Sequence, residues 1–292
     1  MALADTVQTE TSNRQLTVVG ADGYVGRALL QAARAAGRPT LAAVARGDDD
    51  LAAGRIALTD VSRLDVHHEL LSTGTVVLLP QLQRAQSDWL IDRIDGPRWV
   101  LFSSAQLASR FAPPGQEIAL ARERLALERG AVVLRPTMIF GRGGDHNISR
   151  VARKVRRTKV PLQLGEGDQL VQPVHVDDLI DLVLALPADG PSGRFEVGGR
   201  DVVSSLELMT MLVELLGVRT PPVAVPRRVL TSLAPIGRLV GLRGDQIERL
   251  FEDKVVDNTA ARELLAYDPA PIAHRLEQAV RELDEAHRVG PS

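Results

Sequence analysis

Residues 16–30 read Leu16-Thr-Val-Val-Gly20-Ala-Asp-Gly23-Tyr-Val-Gly26-Arg-Ala-Leu-Leu30. An apolar, partly β-branched run passes directly into a helical stretch through three glycines spaced GxxGxxG. Each glycine has a separate task in a dinucleotide site. Gly20 permits the tight turn, Gly23 lets the backbone approach a pyrophosphate, and Gly26 lets the helix lie close on the strand. The unpaired N–H groups at the helix start then receive the phosphates. Three glycines alone are a weak signal. A strand before them, a helix after them and a place at the first strand make it specific. The reading places Gly20, Asp22, Gly23, Tyr24 and Val25 at a bound cofactor.

Working outward, short apolar runs recur at Leu41–Ala45, Ile56–Leu58, Val76–Leu79, Trp99–Phe102 and Val132–Leu134. They are continuous rather than alternating, as strands covered on both faces require. Helical stretches separate them at Val25–Ala36, Ser62–Leu71 and Glu117–Glu128. Strand and helix in alternation predict an α/β protein, a Rossmann-type doubly wound parallel sheet with right-handed crossovers. The second strand ends Ala42-Ala-Val-Ala-Arg46. A carboxylate there would hold a ribose 2′-hydroxyl, whereas an arginine accommodates a 2′-phosphate. Arg46 therefore predicts NADP over NAD.

After Gly141 the pattern changes to a basic helix at about 148–157, a strand over Leu170–Val174, a helix at about 177–186 and a short strand Phe195–Val197. A helix over Ser205–Leu216 opens on Ser204 with Glu207 three residues on, and Gly217 stops it. The remainder is mostly helical and broken by prolines. We expect a flexible tail over 1–14. A nucleotide-binding domain spans 15–141 with about 171–198, and a small helical substrate or lid domain takes about 142–170 and 199–292.

Composition removes several function classes. Of 292 residues, 35 Lys and Arg stand against 37 Asp and Glu, a net charge of −2, so no global basic field recruits nucleic acid. Cysteine is absent, which excludes disulfides, thiolate metal sites and a cysteine nucleophile. No apolar run is long enough to span a membrane. The polar, acidic N-terminus does not read as a secretory signal. A cytoplasmic protein, monomeric or homodimeric, with a small-molecule substrate is expected.

Five further segments, together with the glycine loop, resemble the extended and atypical short-chain dehydrogenase/reductases, the NAD-dependent epimerase/dehydratase family. They are Asp60-Val61, Ser103-Ser104, Leu134-Arg-Pro136-Thr-Met-Ile-Phe-Gly141, Gln172-Pro-Val-His175-Val-Asp177-Asp178, and Val256-Asp-Asn258 with the helix after it. The stretch Gly141-Arg-Gly-Gly-Asp145-His-Asn147-Ile looks closest to relatives of a complex I accessory subunit. The resemblance implies cofactor contacts from Asp60, Val61, Leu79, Pro80, Ser103 and Pro136. It also implies a catalytic serine, with Ser104 the closer match.

One departure outweighs these matches. The family transfers a proton with a tyrosine four residues before a lysine, on the helix preceding the sixth strand. The two tyrosines here, Tyr24 and Tyr267, are followed four residues on by Ala28 and Pro271, and the lysines are Lys154, Lys159 and Lys254. On the matching helix the two positions fall at about Gly115 and Ala119.

Other constellations carry weaker signals. Asp48–Asp50 and His67-His68 put side chains in diverging directions, so no metal site is expected. His175 before a helix is a structural histidine or a substrate contact. Asp145, His146 and Asn147 lie in a glycine-rich loop at the edge where α/β sites form. They are either site residues or, for Asp145 and Asn147, caps of the next helix, with His146 a second candidate for catalysis. Residues 142–159 carry seven basic residues and one acid, and Arg150, Lys154 and Arg157 share a helical face. That face suggests one wall for an anionic, sugar-nucleotide-like substrate. Two functions stay open: an oxidoreductase or epimerase-type enzyme using Ser104, or a non-catalytic NADP-binding sensor or accessory subunit. A lyase or cyclase is a third.

Overall fold

The computed structural model describes residues 15–46, 48–59, 61–79, 90–92, 98–111, 113–232 and 248–289. The expected tail over 1–14, Asp60 and Pro80 lie outside the described residues, as does the side chain of Val61.

The first half builds strands β1 (Leu16–Val19), β2 (Thr40–Val44), β3 (Arg55–Ala57), β4 (Thr75–Leu78), β5 (Arg98–Phe102) and β6 (Val132–Pro136). Helices α1 (Tyr24–Ala35), α2 (Val61–Leu71) and α3 (Gln116–Glu128) lie between them. The second half holds β7 (Ile139–Phe140), α4 (Ile148–Thr158), β8 (Leu162–Leu164), β9 (Leu170–Val171), β10 (Val174–His175), α5 (Val176–Ala185) and β11 (Gly193–Val197). It continues with β12 (Val203–Ser204), α6 (Ser205–Leu215), β13 (Val223–Val225), α7 (Arg227–Ser232), α8 (Thr259–Leu265) and α9 (Ile272–Val289).

Seven strands form one parallel sheet in the order β11-β6-β5-β4-β1-β2-β3. This is the Rossmann-type α/β arrangement the apolar runs predict. The order reverses between β1 and β4, and a ligand crevice opens beyond the carboxyl ends of strands at such a point. The register sets Val19 opposite Leu78, so Gly20 and Leu79 emerge side by side.

Both faces of the sheet are covered, which is why β1 and β4 are apolar at every position. On one face Leu29 and Ala33 of α1 meet Leu179 and Val183 of α5, with Tyr267 beyond them. On the other, Leu71 of α2 and Ala119 and Ala126 of α3 pack against Ile56, Leu78 and Leu101. A further cluster joins Phe140, Ile148, Ala152, Leu212, Leu276 and Leu283 in the C-terminal part.

Local chemistry explains most boundaries. Ser204 and Glu207 form a reciprocal capping box that opens α6. Gly217, at φ 62°, takes the left-handed turn after it. The strand expected over Leu170–Val174 splits in two, because Pro173 has no N–H to give a ladder. β9 pairs with β12 and β10 with β7. The pair β8 and β13 is missing from the sequence reading, since three-residue strands show too little periodicity.

Candidate functional site

The carboxyl ends of β1, β4, β5 and β6 enclose a cleft of about 240 Å³, lined by Gly20, Gly23, Tyr24, Val25, Gly26, Leu79, Phe102, Ser103, Pro136 and Ile139. Seven of the residues that the sequence assigns to a cofactor meet there: Gly20, Gly23, Tyr24, Val25, Leu79, Ser103 and Pro136. Asp22 is exposed one residue away, and its carbonyl holds Arg27 at 2.6 Å.

The glycine loop leaves no room for side chains at its glycines. Gly20 sits at φ 86°, and a Cβ there would press on Leu79 at 3.2 Å. Gly26 is the tightest position, since a Cβ would lie 2.4 Å from the Gly20 carbonyl oxygen and 2.9 Å from the Ala21 Cα. Helix α1 opens at Gly23 with no side-chain cap and no acid in its first turn. Its N–H groups and the positive end of its dipole are thus left for an anion. Arg46 is exposed just past β2.

Ser103 and Ser104 follow β5 and differ in their bonding. Ser104 caps a short 3₁₀ turn, its Oγ accepting from the Gln106 N–H at 3.1 Å. Ser103 lines the cleft and donates its hydroxyl hydrogen to Glu123 of α3. Glu123, 2% exposed, is held by the Arg135 guanidinium, with Nε 2.9 Å from Oε1 and 3.1 Å from Oε2. Arg135 also reaches Glu196 of β11 at 3.2 Å. Sequence reasoning missed this network. Its signal was a charged residue at 135 directly after the apolar run of β6, and a glutamate at 123 on the helix before it.

Gly115 and Ala119, near which the resemblance implies a tyrosine and a lysine, carry no titratable group. Gly115 precedes α3 in the left-handed region at φ 75°. Ala119 is fully buried among the apolar residues of the second core face.

The loop after β7 is tied down from several sides. Tyr24 donates its hydroxyl to the Gly141 carbonyl at 2.8 Å, and burial raises its phenol well above the usual range. Asp145, 2% exposed, accepts from the Gly141 N–H at 3.2 Å, the Asn147 N–H at 2.9 Å, the Ser149 N–H at 3.0 Å and the Ser149 hydroxyl. Four donors thus make this carboxylate the organiser of the loop. Asn147, at the cap position, makes no side-chain cap bond and donates instead to Ile139 at 3.1 Å. His146 is exposed.

His175 is 1% exposed. Its Nδ1 accepts from the Asp177 N–H at 3.2 Å and so caps α5. The ring stands edge-on to Phe140 and leaves Nε2 without a partner against the Gly141 backbone. A Cβ on Gly141 would fall 2.1 Å from that nitrogen, so the residue there must be glycine. Burial lowers the imidazole pKa to about 4.

The basic segment, expected as a substrate wall, stays outside this cleft. Ile148, Ala152 and Val155 turn α4 inward, while Arg150, Lys154 and Arg157 are exposed, and none of them lines the cleft. Arg142 instead reaches Asp177 at 2.7 Å and Gln31 at 3.0 Å. Among the described residues, His175, Asp177 and Glu282 bring ligand-type atoms within 4.8 Å of one another. Arg142 and Gln278 already occupy both carboxylates, so the group is an ion-paired knot. The Asp49 carboxylate accepts from Ala57 at 2.8 Å and pairs with Arg63 and the buried His67. That is a turn lock rather than a metal site.

Residues 115–198 match the NAD dependent epimerase/dehydratase family. A dTDP-4-dehydro-6-deoxy-D-allose reductase from Streptomyces bikiniensis is 27% identical over 172 residues, 56% of this chain and 47% of the reductase. The chain spans about half the length of the curated relatives it matches. The UDP-glucose 4-epimerase of Thermotoga maritima, solved with UDP-glucose, superposes with TM-score 0.70 at 16% identity, over 93% of this chain and 99% of the epimerase. The UDP-glucuronic acid 4-epimerase of Bacillus cereus, solved with UDP-glucuronic acid and NAD, gives 0.66 at 16% identity over 93% and 99%. At these identities the structural likeness establishes the fold. No helix among the described residues is long and apolar enough to cross a membrane.

Proposed function

We propose, from the premise that this chain is a member of the NAD-dependent epimerase/dehydratase family, with the match on residues 115–198, that it binds a nicotinamide dinucleotide and acts on a nucleotide sugar as an oxidoreductase or epimerase. The observation that carries the reading is the cleft at the β1/β4 reversal. An uncapped helix start there meets glycines whose side-chain positions are filled by backbone. The nucleotide sugar is supported by the names of the relatives, a dTDP-sugar reductase and two UDP-sugar epimerases. Arg46 supports NADP as the preferred dinucleotide, while the Bacillus cereus neighbour was solved with NAD. When bound, the dinucleotide supplies hydride transfer.

The chain's own residues would divide the remaining work. Gly20, Gly23 and the first turn of α1 hold the pyrophosphate. Leu79, Pro136 and Ile139 exclude water from the ring end, and Ser103 and Ser104 supply hydroxyls at the end of β5. With Gly115 and Ala119 at the tyrosine and lysine positions, proton transfer falls to Ser104, His146 or water. General acid–base catalysis contributes roughly 10²–10⁴-fold, so turnover of ordinary ketone and sugar-nucleotide substrates is expected to be slow by about that factor.

A second reading, a dinucleotide-binding sensor or accessory subunit without turnover, is favoured by that same helix α3. Steady-state absorbance of NADPH and NADH against UDP- and dTDP-sugars and their 4-keto forms separates the two. Slow turnover, further reduced by Ser104→Ala or His146→Ala, supports the enzyme. Tight dinucleotide binding with no turnover on any substrate selects the sensor. A protein that binds neither dinucleotide refutes both.

A further inference from the structure

We infer that Ser103 is fixed as a hydrogen-bond acceptor toward the cleft, so that the group held against it is an N–H or O–H donor and not a carbonyl oxygen. The inference rests on the proposed dinucleotide and nucleotide-sugar reading and specifies the polarity of that site.

The argument is an accounting of hydrogens. A serine hydroxyl has one hydrogen and two lone pairs, and a guanidinium has donors only. Both oxygens of Glu123 accept from Arg135, and Oε1 also faces the Ser103 hydroxyl. The hydrogen between Ser103 and Glu123 is therefore the serine's own. Glu123 and Arg135 are 2% and 6% exposed, and Glu196 anchors Arg135 from β11 at 3.2 Å. A buried carboxylate opposite a guanidinium is not a partner that a ligand displaces, because an unpaired buried charge is costly. What remains for the cleft is the lone-pair side of Ser103.

Ser104 differs. Its oxygen already accepts from Gln106, and its hydrogen bonds to no described residue. The two serines thus offer opposite polarities at the end of one strand. A carbonyl oxygen finds no donor at Ser103, whereas an alcohol hydroxyl or a carboxamide N–H₂ finds an acceptor there. Two sources bring such a donor: the carboxamide of a nicotinamide, or a hydroxyl of the sugar.

Calorimetric binding tests the inference with two probe pairs. The first pair is NAD⁺ and its 3-acetylpyridine analogue, which keeps the carbonyl and loses the N–H₂. The second is dTDP-6-deoxyglucose and dTDP-4-dehydro-6-deoxyglucose, measured without dinucleotide so that neither turns over. Wild type should bind the donor-bearing member of one pair about tenfold more tightly, and that pair identifies the source. Ser103→Ala, which leaves Glu123 and Arg135 together, should erase the preference. Glu123→Gln turns an amide N–H₂ toward Ser103, releases the serine hydrogen to the cleft and should reverse it. Thermal unfolding of each variant establishes that it is folded, and Ser103→Ala alone decides if Glu123→Gln is not. Equal affinities in both pairs, or a preference that survives Ser103→Ala, overturn the inference. Failure of wild type to bind either NAD⁺ or NADP⁺ overturns the functional reading and this inference with it.

Discussion

The hydroxyl of Tyr24 donates to the carbonyl of Gly141 at 2.8 Å, and this bond fastens the helix behind the glycine loop to the residue that follows β7. Two segments 117 residues apart in sequence are joined at the cleft wall. Tyr24→Phe keeps the ring beneath Gly144 and removes only the bond. The loss should lower stability by about 1 kcal/mol and the melting temperature by roughly 2–4 °C. Calorimetric unfolding of the pair measures it, and an unchanged melting temperature would show the bond to be idle.

Two of the three glycines should fail in different ways. Gly23→Val blocks the approach of a phosphate, since even a Cβ would stand only 3.1 Å from the Gly20 carbonyl. Dinucleotide binding should vanish from a folded protein. Gly26→Ala drives a methyl into backbone that cannot yield. It should cost about 1–3 kcal/mol as overpacking does, lowering stability as well as binding. Circular dichroism with titration of the dinucleotide distinguishes the two. Wild-type affinity in Gly23→Val would move the site elsewhere.

Arg46 should set cofactor choice. A charge-assisted bond to a 2′-phosphate contributes roughly 1.5–3 kcal/mol, or about 10- to 150-fold in affinity. Arg46→Ala should lose that factor for NADP and leave NAD unchanged. Equal affinity of the wild type for both dinucleotides would refute the assignment.

Acid should weaken the fold through His175. Burial holds its pKa at about 4, below the ordinary 6.5, with Asp177 opposing the shift and Arg142, Arg275 and His274 adding to it. Above pH 6.5 the imidazole is neutral in both states. Below it the unfolded chain takes up a proton that the folded one refuses, so stability falls between about pH 6.5 and 4. The full effect is about 3 kcal/mol. His175→Asn retains an acceptor for the Asp177 N–H and should flatten the difference curve in that window. Parallel curves for the two proteins would count against the assignment.

Much of this molecule is legible in one dimension. The apolar runs of β1, β4, β5 and β6 are read within a residue or two, because strands covered on both faces need no alternation to be seen. The glycine loop is equally plain, since each glycine answers a backbone constraint. What the chain hides is partnership. Glu123 and Arg135 are 12 residues apart, and nothing in either segment names the other. The basic residues of 142–159 looked like one electrostatic surface, yet burial of Ile148, Ala152 and Val155 turns Arg150, Lys154 and Arg157 outward. Asn147 resembled the helix cap, but Asp145 reaches the needed N–H groups first.

The burial of Ala119 bears on reversibility. A lysine introduced there would have to carry its amine out of an apolar layer. A tyrosine at Gly115 would have to adopt φ 75°, a conformation that costs an L-residue about 1–2 kcal/mol. Installing at these positions the tyrosine and lysine that the resemblance implies is therefore not a matter of two substitutions. Helix α3 is a beam that bears the sheet, and any attempt to give it chemistry must first rebuild what rests on it.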